Sequence, residues 1–317
     1  MKQLIIAQRV CLSIHIISMA FGLAGLLLVL PNSEFILNLS SLGQKIFQWS
    51  MAGGGVVYII LGAVAVSIYA YRELGLRQWL TFMLPAVFLS LGSELLGTST
   101  GFPFGEYHYL EGLGYKIAGL VPFTIPLSWF YLGFSAYILA RAGLDSQRLP
   151  NWARLIGAIA LGALLLTAWD FVLDPAMSQT AFPFWQFQET GAFFGMPYRN
   201  ITGWLGTGII FMTVASLLWP KTQIVLSRQQ LIFPLIIYLV NFAFGAIITI
   251  GALDSRFLIP TLLSICLGVI PAFGLWWMTP SKAALINAKA QSENYSGEKV
   301  ENLNQERPRT PLEIVAK

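Results

Sequence analysis

Long apolar runs alternate with short polar connections through the first 280 residues of the chain. A membrane-spanning helix needs about 20 mostly apolar residues. Eight runs have that character: 11–30, 51–70, 79–97, 121–140, 153–173, 201–219, 231–250 and 257–278. The fifth ends in acids, and only six residues separate the last two. The segment 31–50 mixes apolar residues with polar punctuation and reads as a short loop with an interfacial piece near Phe47 and Trp49. After Pro280 the pattern gives way to Asn, Glu, Lys, Gln and Ser. The expected architecture is all-α: a polytopic transmembrane helix bundle of about eight spans over residues 1–280. Residues 281–317 read as a polar, largely disordered cytoplasmic tail.

Within this pattern Gly53, Gly54, Gly55 and Gly62 open the second span with small residues, which permit close helix contact. Pro126 and Pro271 lie deeper in their runs than the other prolines and are expected to kink them.

Charge adds direction. One set of connections holds Lys2, Arg9, Arg72, Arg77, Arg141, Arg148, Arg154, Lys221 and Arg228, and the opposite set holds Lys45, Lys116, Arg199 and Arg256. Nine against four places both termini in the cytoplasm by the positive-inside rule. The first run follows Lys2 and Arg9 as a signal peptide would, but it is long and lacks a clean small-residue cleavage pattern, so it reads as a retained span. The composition agrees, with 56% hydrophobic and 11% charged residues and a mean hydropathy of +0.67. The net charge of +4 comes from the connections and gives no support to nucleic-acid binding.

Two connections rhyme. Thr100-Gly101-Phe102-Pro103-Phe104-Gly105-Glu106-Tyr107 and Thr190-Gly191-Ala192-Phe193-Phe194-Gly195-Met196-Pro197-Tyr198 both fall on the same expected side, outside the cytoplasm. Acids precede each: Glu94 before the first, Asp170 and Asp174 before the second. A carboxylate within a span is costly unless it faces protein or water, at about 2.5–3.5 kcal/mol at mid-bilayer on insertion scales. Glycines, Pro103 and the rings of Phe104, Tyr107 and Tyr109 suit the first loop to fold back as an aromatic lid; a plain interfacial belt is the competing reading.

Asp170 and Asp174 are four apart and share a face if the helix continues through both; otherwise Asp174 belongs to a turn with Pro175. Asn200 is placed to cap the sixth span, and Arg199 to pair with an acid or a lipid headgroup. Asn241 is an isolated amide in the seventh span, which reads as helix glue ahead of substrate contact.

Other chemistries are poorly supplied. Histidine occurs only as His15 and His108, so the clusters of membrane di-iron oxygenases are missing. Cys11 and Cys266 make no metal pattern. Neither GxGxxG nor GK[ST] occurs, so no cofactor and no metal is expected. Carboxylate acid–base chemistry remains, with an elongated apolar substrate entering from lipid.

Two blocks of residues carry a resemblance. Leu91-Gly92-Ser93-Glu94, Thr98 through Tyr109, Leu120-Val121-Pro122 and Pro126-Leu127-Ser128-Trp129 form the first. Trp169-Asp170, Asp174-Pro175, Gly191, Phe194-Gly195-Met196-Pro197, Asn200 and Gly203-Trp204 form the second. Together they resemble the membrane carotenoid hydratase family of CruF type over about residues 50–280. The resemblance implies a cofactor-independent carotenoid 1,2-hydratase that adds water across the terminal double bond of an acyclic ψ-end, giving a tertiary alcohol. The implied substrates are γ-carotene or lycopene-like chains, with bisanhydrobacterioruberin as the C50 case. It also implies water and membrane lipid as partners, a downstream carotenoid glycosyltransferase, and a cyanobacterial-type cell or thylakoid membrane.

That chemistry needs an acid to protonate the alkene and a base to orient and deprotonate water. Asp170 is the expected acid and Glu94 the base or water-holder, with Asp174 as substitute; the reverse assignment stays open. Phe104, Tyr107, Tyr109, Trp169, Phe194, Tyr198, Asn200, Trp204 and Asn241 are the expected substrate-binding residues. The other class kept open is a lipid or pigment transporter, or a non-catalytic membrane partner of carotenoid-synthesis enzymes.

Overall fold

A computed structural model describes residues 1–287 and Gln291; most of the expected tail, 281–317, therefore lies outside the described residues. The helices in chain order are α1 (Lys2–Ala24), α2 (Ser33–Leu37), α3 (Ser41–Leu74), α4 (Leu76–Thr100), α5 (Thr124–Asp145), α6 (Asn151–Ser178), α7 (Tyr198–Leu218), α8 (Ile232–Ala252), α9 (Leu258–Ser264) and α10 (Ile270–Met278). Two π-helical turns extend this set: Gly25–Val29 prolongs α1, and Ile265–Val269 joins α9 to α10. The second ends two residues before Pro271, whose missing N–H cannot continue an ordinary α ladder. Pro126, by contrast, is the third residue of α5, where an absent N–H costs little.

Among the described residues, seven helical stretches are long and apolar enough to cross a membrane: Lys2–Val29, Gly53–Leu74, Leu76–Thr100, Asn151–Ser178, Tyr198–Leu218, Ile232–Ala252 and Ser255–Asn287. The chain is an integral, multi-pass membrane protein. The expected run 121–140 is the exception among the eight. It becomes α5, which is buried along nearly its whole length and packs against α3, α4, α6, α8 and α10. A helix enclosed by protein need not satisfy lipid, and α5 accordingly carries Ser128, Tyr131, Gly133, Ser135, Tyr137 and Arg141. The outer helices turn large apolar residues such as Phe21, Val57, Phe88, Leu217 and Ile247 outward, as a hydrocarbon solvent requires.

The segment 31–50 is more helical than expected. It holds α2 and the first turns of α3, whose start is capped by Ser40: its hydroxyl oxygen accepts from the Gly43 N–H at 3.2 Å.

Four short strands interrupt the helices: β1 (Tyr107–Tyr109), β2 (Lys116–Ile117), β3 (Val121–Pro122) and β4 (Trp185–Phe187). β2 pairs with β3 locally. β1 pairs antiparallel with β4, with Tyr107 opposite Phe187 and Tyr109 opposite Trp185. The two long loops are therefore one joined structure over one end of the bundle, and alternation turns Tyr107 and Tyr109 inward while His108 faces out.

Candidate active site

α4 and α6 both end beneath the ribbon formed by β1 and β4, and α7 begins there. This arrangement brings Glu94, Asp170 and Asp174 to the same end of the bundle, with 3%, 1% and 1% of their surfaces exposed. All three line one cavity. Burying three carboxylates demands hydrogen-bond partners for their oxygens, and each acid is served differently.

Glu94 is the most fully engaged. Its Oε2 accepts from the Tyr107 hydroxyl and, at 2.9 Å, from the Tyr109 hydroxyl, while its Oε1 accepts from the Trp129 indole N–H at 2.8 Å. Burial pushes both tyrosine hydroxyls well above their ordinary range, and the carboxylate beside them adds to the effect. They therefore stay protonated, as donors, across ordinary pH.

Asp170 and Asp174 do share a face, because α6 continues through Pro175 to Ser178. The turn reading of Asp174 with Pro175 is thereby corrected. Pro175 would have donated to the carbonyl of residue 171, and only that one bond is lost. Asn200 Nδ2 donates to Asp170 Oδ2 at 2.9 Å and to Asp174 Oδ2 at 3.4 Å. It does so from the third residue of α7, so the expected cap position falls to Pro197 and the Asn200 amide serves the acids instead. Trp185 Nε1, on β4, donates to Asp174 Oδ1 at 2.6 Å. Asp170 Oδ1 has no partner among the described residues.

The aromatic wall is continuous with the acids. Trp129 and Trp204 stack with ring centroids 4.1 Å apart and planes 23° apart, and Trp169 meets Trp204 edge-on at 5.9 Å. Phe104 descends from the first loop into a slot between α4 and α7, made possible by two glycines. A Cβ on Gly97 would lie 2.7 Å from the Phe104 ring, and one on Gly203 only 2.5 Å. Tyr58, Ile59, Leu113 and Ile125 complete part of the lining and bring no carboxylate, imidazole or amine. The cavity volume is about 50 Å³, which is enough for water.

Of the residues expected to bind substrate, Phe104, Tyr107, Tyr109, Trp169, Asn200 and Trp204 line this cavity with the three acids. Phe194, Tyr198 and Asn241 do not. Phe194 sits at φ 52 and packs on Phe193 and Phe257. Tyr198 is 62% exposed. Asn241 lies deeper, where its Oδ1 accepts from the Tyr131 hydroxyl at 2.8 Å and its Nδ2 lies 3.3 Å from His15 Nε2; this is the helix-glue geometry. Tyr131 itself lines the cavity.

Trp129, Tyr131 and Trp185 line the cavity too and are not among the expected site residues. Trp129 stands in the first block of the resemblance, and a buried tryptophan needs an acceptor for its N–H; matching it to the nearest intramembrane acid is the signal that was available.

A protein-family model described as "Carotenoid biosynthesis protein" matches residues 54–271. The chain belongs to that family. All the cavity residues named above lie inside the matched region. Among curated proteins, the bisanhydrobacterioruberin hydratase of Haloarcula japonica is 37% identical over 121 residues, covering 38% of this chain and 39% of that protein. The chain is thus hydratase-like over a little more than a third of each sequence. No solved structure matches it.

Proposed function

We propose that this protein is a carotenoid hydratase, which adds water across the terminal C1–C2 double bond of an acyclic ψ-end to give a tertiary alcohol. The observation that carries this reading is the meeting of Glu94, Asp170 and Asp174 in one buried aromatic cavity. Family membership and the hydratase relative supply the substrate class.

Markovnikov hydration requires a proton delivered to C2 and water delivered to the cation left at C1. Asp170 is the acid in this reading. Asn200 donates to its Oδ2, so a proton carried by Asp170 resides on Oδ1, the oxygen with no other engagement. Glu94 is suited to a different task, because three donors converge on its two oxygens and hold it in place as an acceptor, in its carboxylate form. From there it offsets the positive charge that develops on the substrate. The aromatic lining formed by Trp129, Trp169 and Trp204 supplies further stabilisation of the cation. The water gives up one of its two protons to a carboxylate and keeps the other as the alcohol O–H, which completes the addition.

A cavity of about 50 Å³ takes water more readily than a prenyl end. The end group therefore enters by displacing side chains of the apolar wall, at Ile59, Leu113 and Ile125, while the polyene remains toward lipid.

Expression in a host that accumulates lycopene or γ-carotene tests the reading. The expected product carries the mass of one added water and a tertiary hydroxyl at the ψ-end. Unchanged pigment alongside abundant membrane-inserted protein would overturn it.

A further inference from the structure

Eight buried side-chain polar atoms have no hydrogen-bond partner among the described residues: Tyr69 Oη, Trp79 Nε1, Tyr137 Oη, Asp145 Oδ1, Arg154 Nε, Trp169 Nε1, Asp170 Oδ1 and Ser264 Oγ. Buried orphans are uncommon and each calls for a reason. Six belong to residues away from the acid cavity. The remaining two belong to consecutive residues, Trp169 and Asp170, and both of these line that cavity. One is an obligate donor, the indole N–H, and the other is a carboxyl oxygen. Four donors that reach the acids are committed: Trp129, Tyr107 and Tyr109 to Glu94, and Trp185 to Asp174.

A donor and a carboxyl oxygen, both unpartnered and both on residues that line one cavity, are the complement of a hydroxylic molecule that bridges them. From this we infer that the Trp169 indole N–H and Asp170 Oδ1 together form the seat of the attacking water, and that Trp169 is a catalytic residue as well as a wall of the cavity. The inference rests on the hydratase reading and adds to it the water site and the identity of the base.

The step balances on one carboxyl group. Asp170 Oδ1–H transfers its proton to C2, the π electrons of the double bond form the new C–H bond, and C1 becomes cationic. The water oxygen, held by the Trp169 N–H, gives a lone pair to C1. As the C–O bond forms, the water passes a proton to Asp170 Oδ1, which is now a carboxylate oxygen. The acid is regenerated, and alkene plus water has become alcohol with no proton taken from elsewhere.

Trp169→Phe keeps an aromatic ring against Trp204 and removes the donor together with the wider indole face, so Trp169→His serves to isolate the donor. Measured on purified protein in lipid with a ψ-end carotene, kcat is expected to fall about tenfold or more, as for loss of one positioned donor, with KM for the carotene unchanged. Trp169→His, which keeps a ring N–H, should recover part of the lost kcat. Wild-type kcat in Trp169→Phe, or equal losses in the Phe and His variants, would overturn the water seat. If Trp169→Phe does not accumulate, Trp169→His decides alone: measurable hydration supports the seat, and none at normal protein level overturns it. Failure of the hydratase reading would look different, since the wild-type protein itself would then form no hydrated product.

Discussion

Trp185 donates its indole N–H to Asp174 across 2.6 Å, so the second loop holds an acid of the helix before it, just as Tyr109 of the first loop holds Glu94 at 2.9 Å. Tyr109 and Trp185 also face each other in the ribbon that joins β1 to β4. One backbone pairing thus sets the positions of donors to two different acids, and the ribbon and the carboxylates form a single unit.

Removing the second tether should be felt in both parts. Trp185→Phe leaves the ring beside Tyr109 and takes away the donor to a buried carboxyl group. A hydrogen bond to a charged group contributes about 1.5–3 kcal/mol. Thermal unfolding in detergent should show destabilisation of that order, with hydration activity reduced in the folded fraction.

The first loop offers the matching test. In Tyr107→Phe combined with Tyr109→Phe, Glu94 retains only the Trp129 donor. A buried carboxyl group with most of its donors gone is costly, and activity should fall by at least about tenfold while either single change has a smaller effect. Rates of the single and double variants, compared in one membrane preparation, check this.

Gly203 is expected to reject any side chain. A Cβ there would stand 2.5 Å from Phe104 and 3.0 Å from the Pro103 carbonyl oxygen. Such overpacking typically costs about 1–3 kcal/mol. Gly203→Ala should lower the melting temperature and lose activity, and adding Phe104→Leu should recover part of the stability by relieving the contact.

Asn200 bridges Asp170 and Asp174 as a donor. Asn200→Asp keeps the shape and exchanges that donor for a third acidic group against the pair. Hydration should fall by at least about tenfold, whereas Asn200→Gln, which retains the amide, should fall less. Product formation at matched protein level distinguishes the two.

Much of the bundle was legible because lipid imposes a simple rule on outward-facing helices, and seven long apolar helices follow it. α5 departs from the rule because protein surrounds it, so its Tyr, Ser and Arg content reports neighbours and not solvent. At the site, the three acids were legible as charges in costly places, and the inward rings of Tyr107 and Tyr109 as part of a loop rich in turn residues. The roles of Trp129 and Trp185 depend on which acid each indole reaches, a relation between distant segments that no local pattern encodes.

The rhyming loops lie at the same end of the bundle, joined through β1 and β4, but their phenylalanines go to different places. Phe104 enters the cavity wall between Gly97 and Gly203, whereas Phe194 turns to Phe193 and Phe257, since Gly191 and Gly195 close their own tight turn. Shared turn chemistry produced similar strings with different destinations.

In the proposed hydration the proton comes from Asp170. Asp170→Asn is nearly isosteric but cannot supply an acidic proton, and loss of a general acid lowers rates by about 10²–10⁴-fold. In membranes given γ-carotene or lycopene, the wild-type protein should form the tertiary alcohol, and the variant, present at the same level, should form at least about a hundredfold less. Undiminished alcohol from Asp170→Asn would contradict the account.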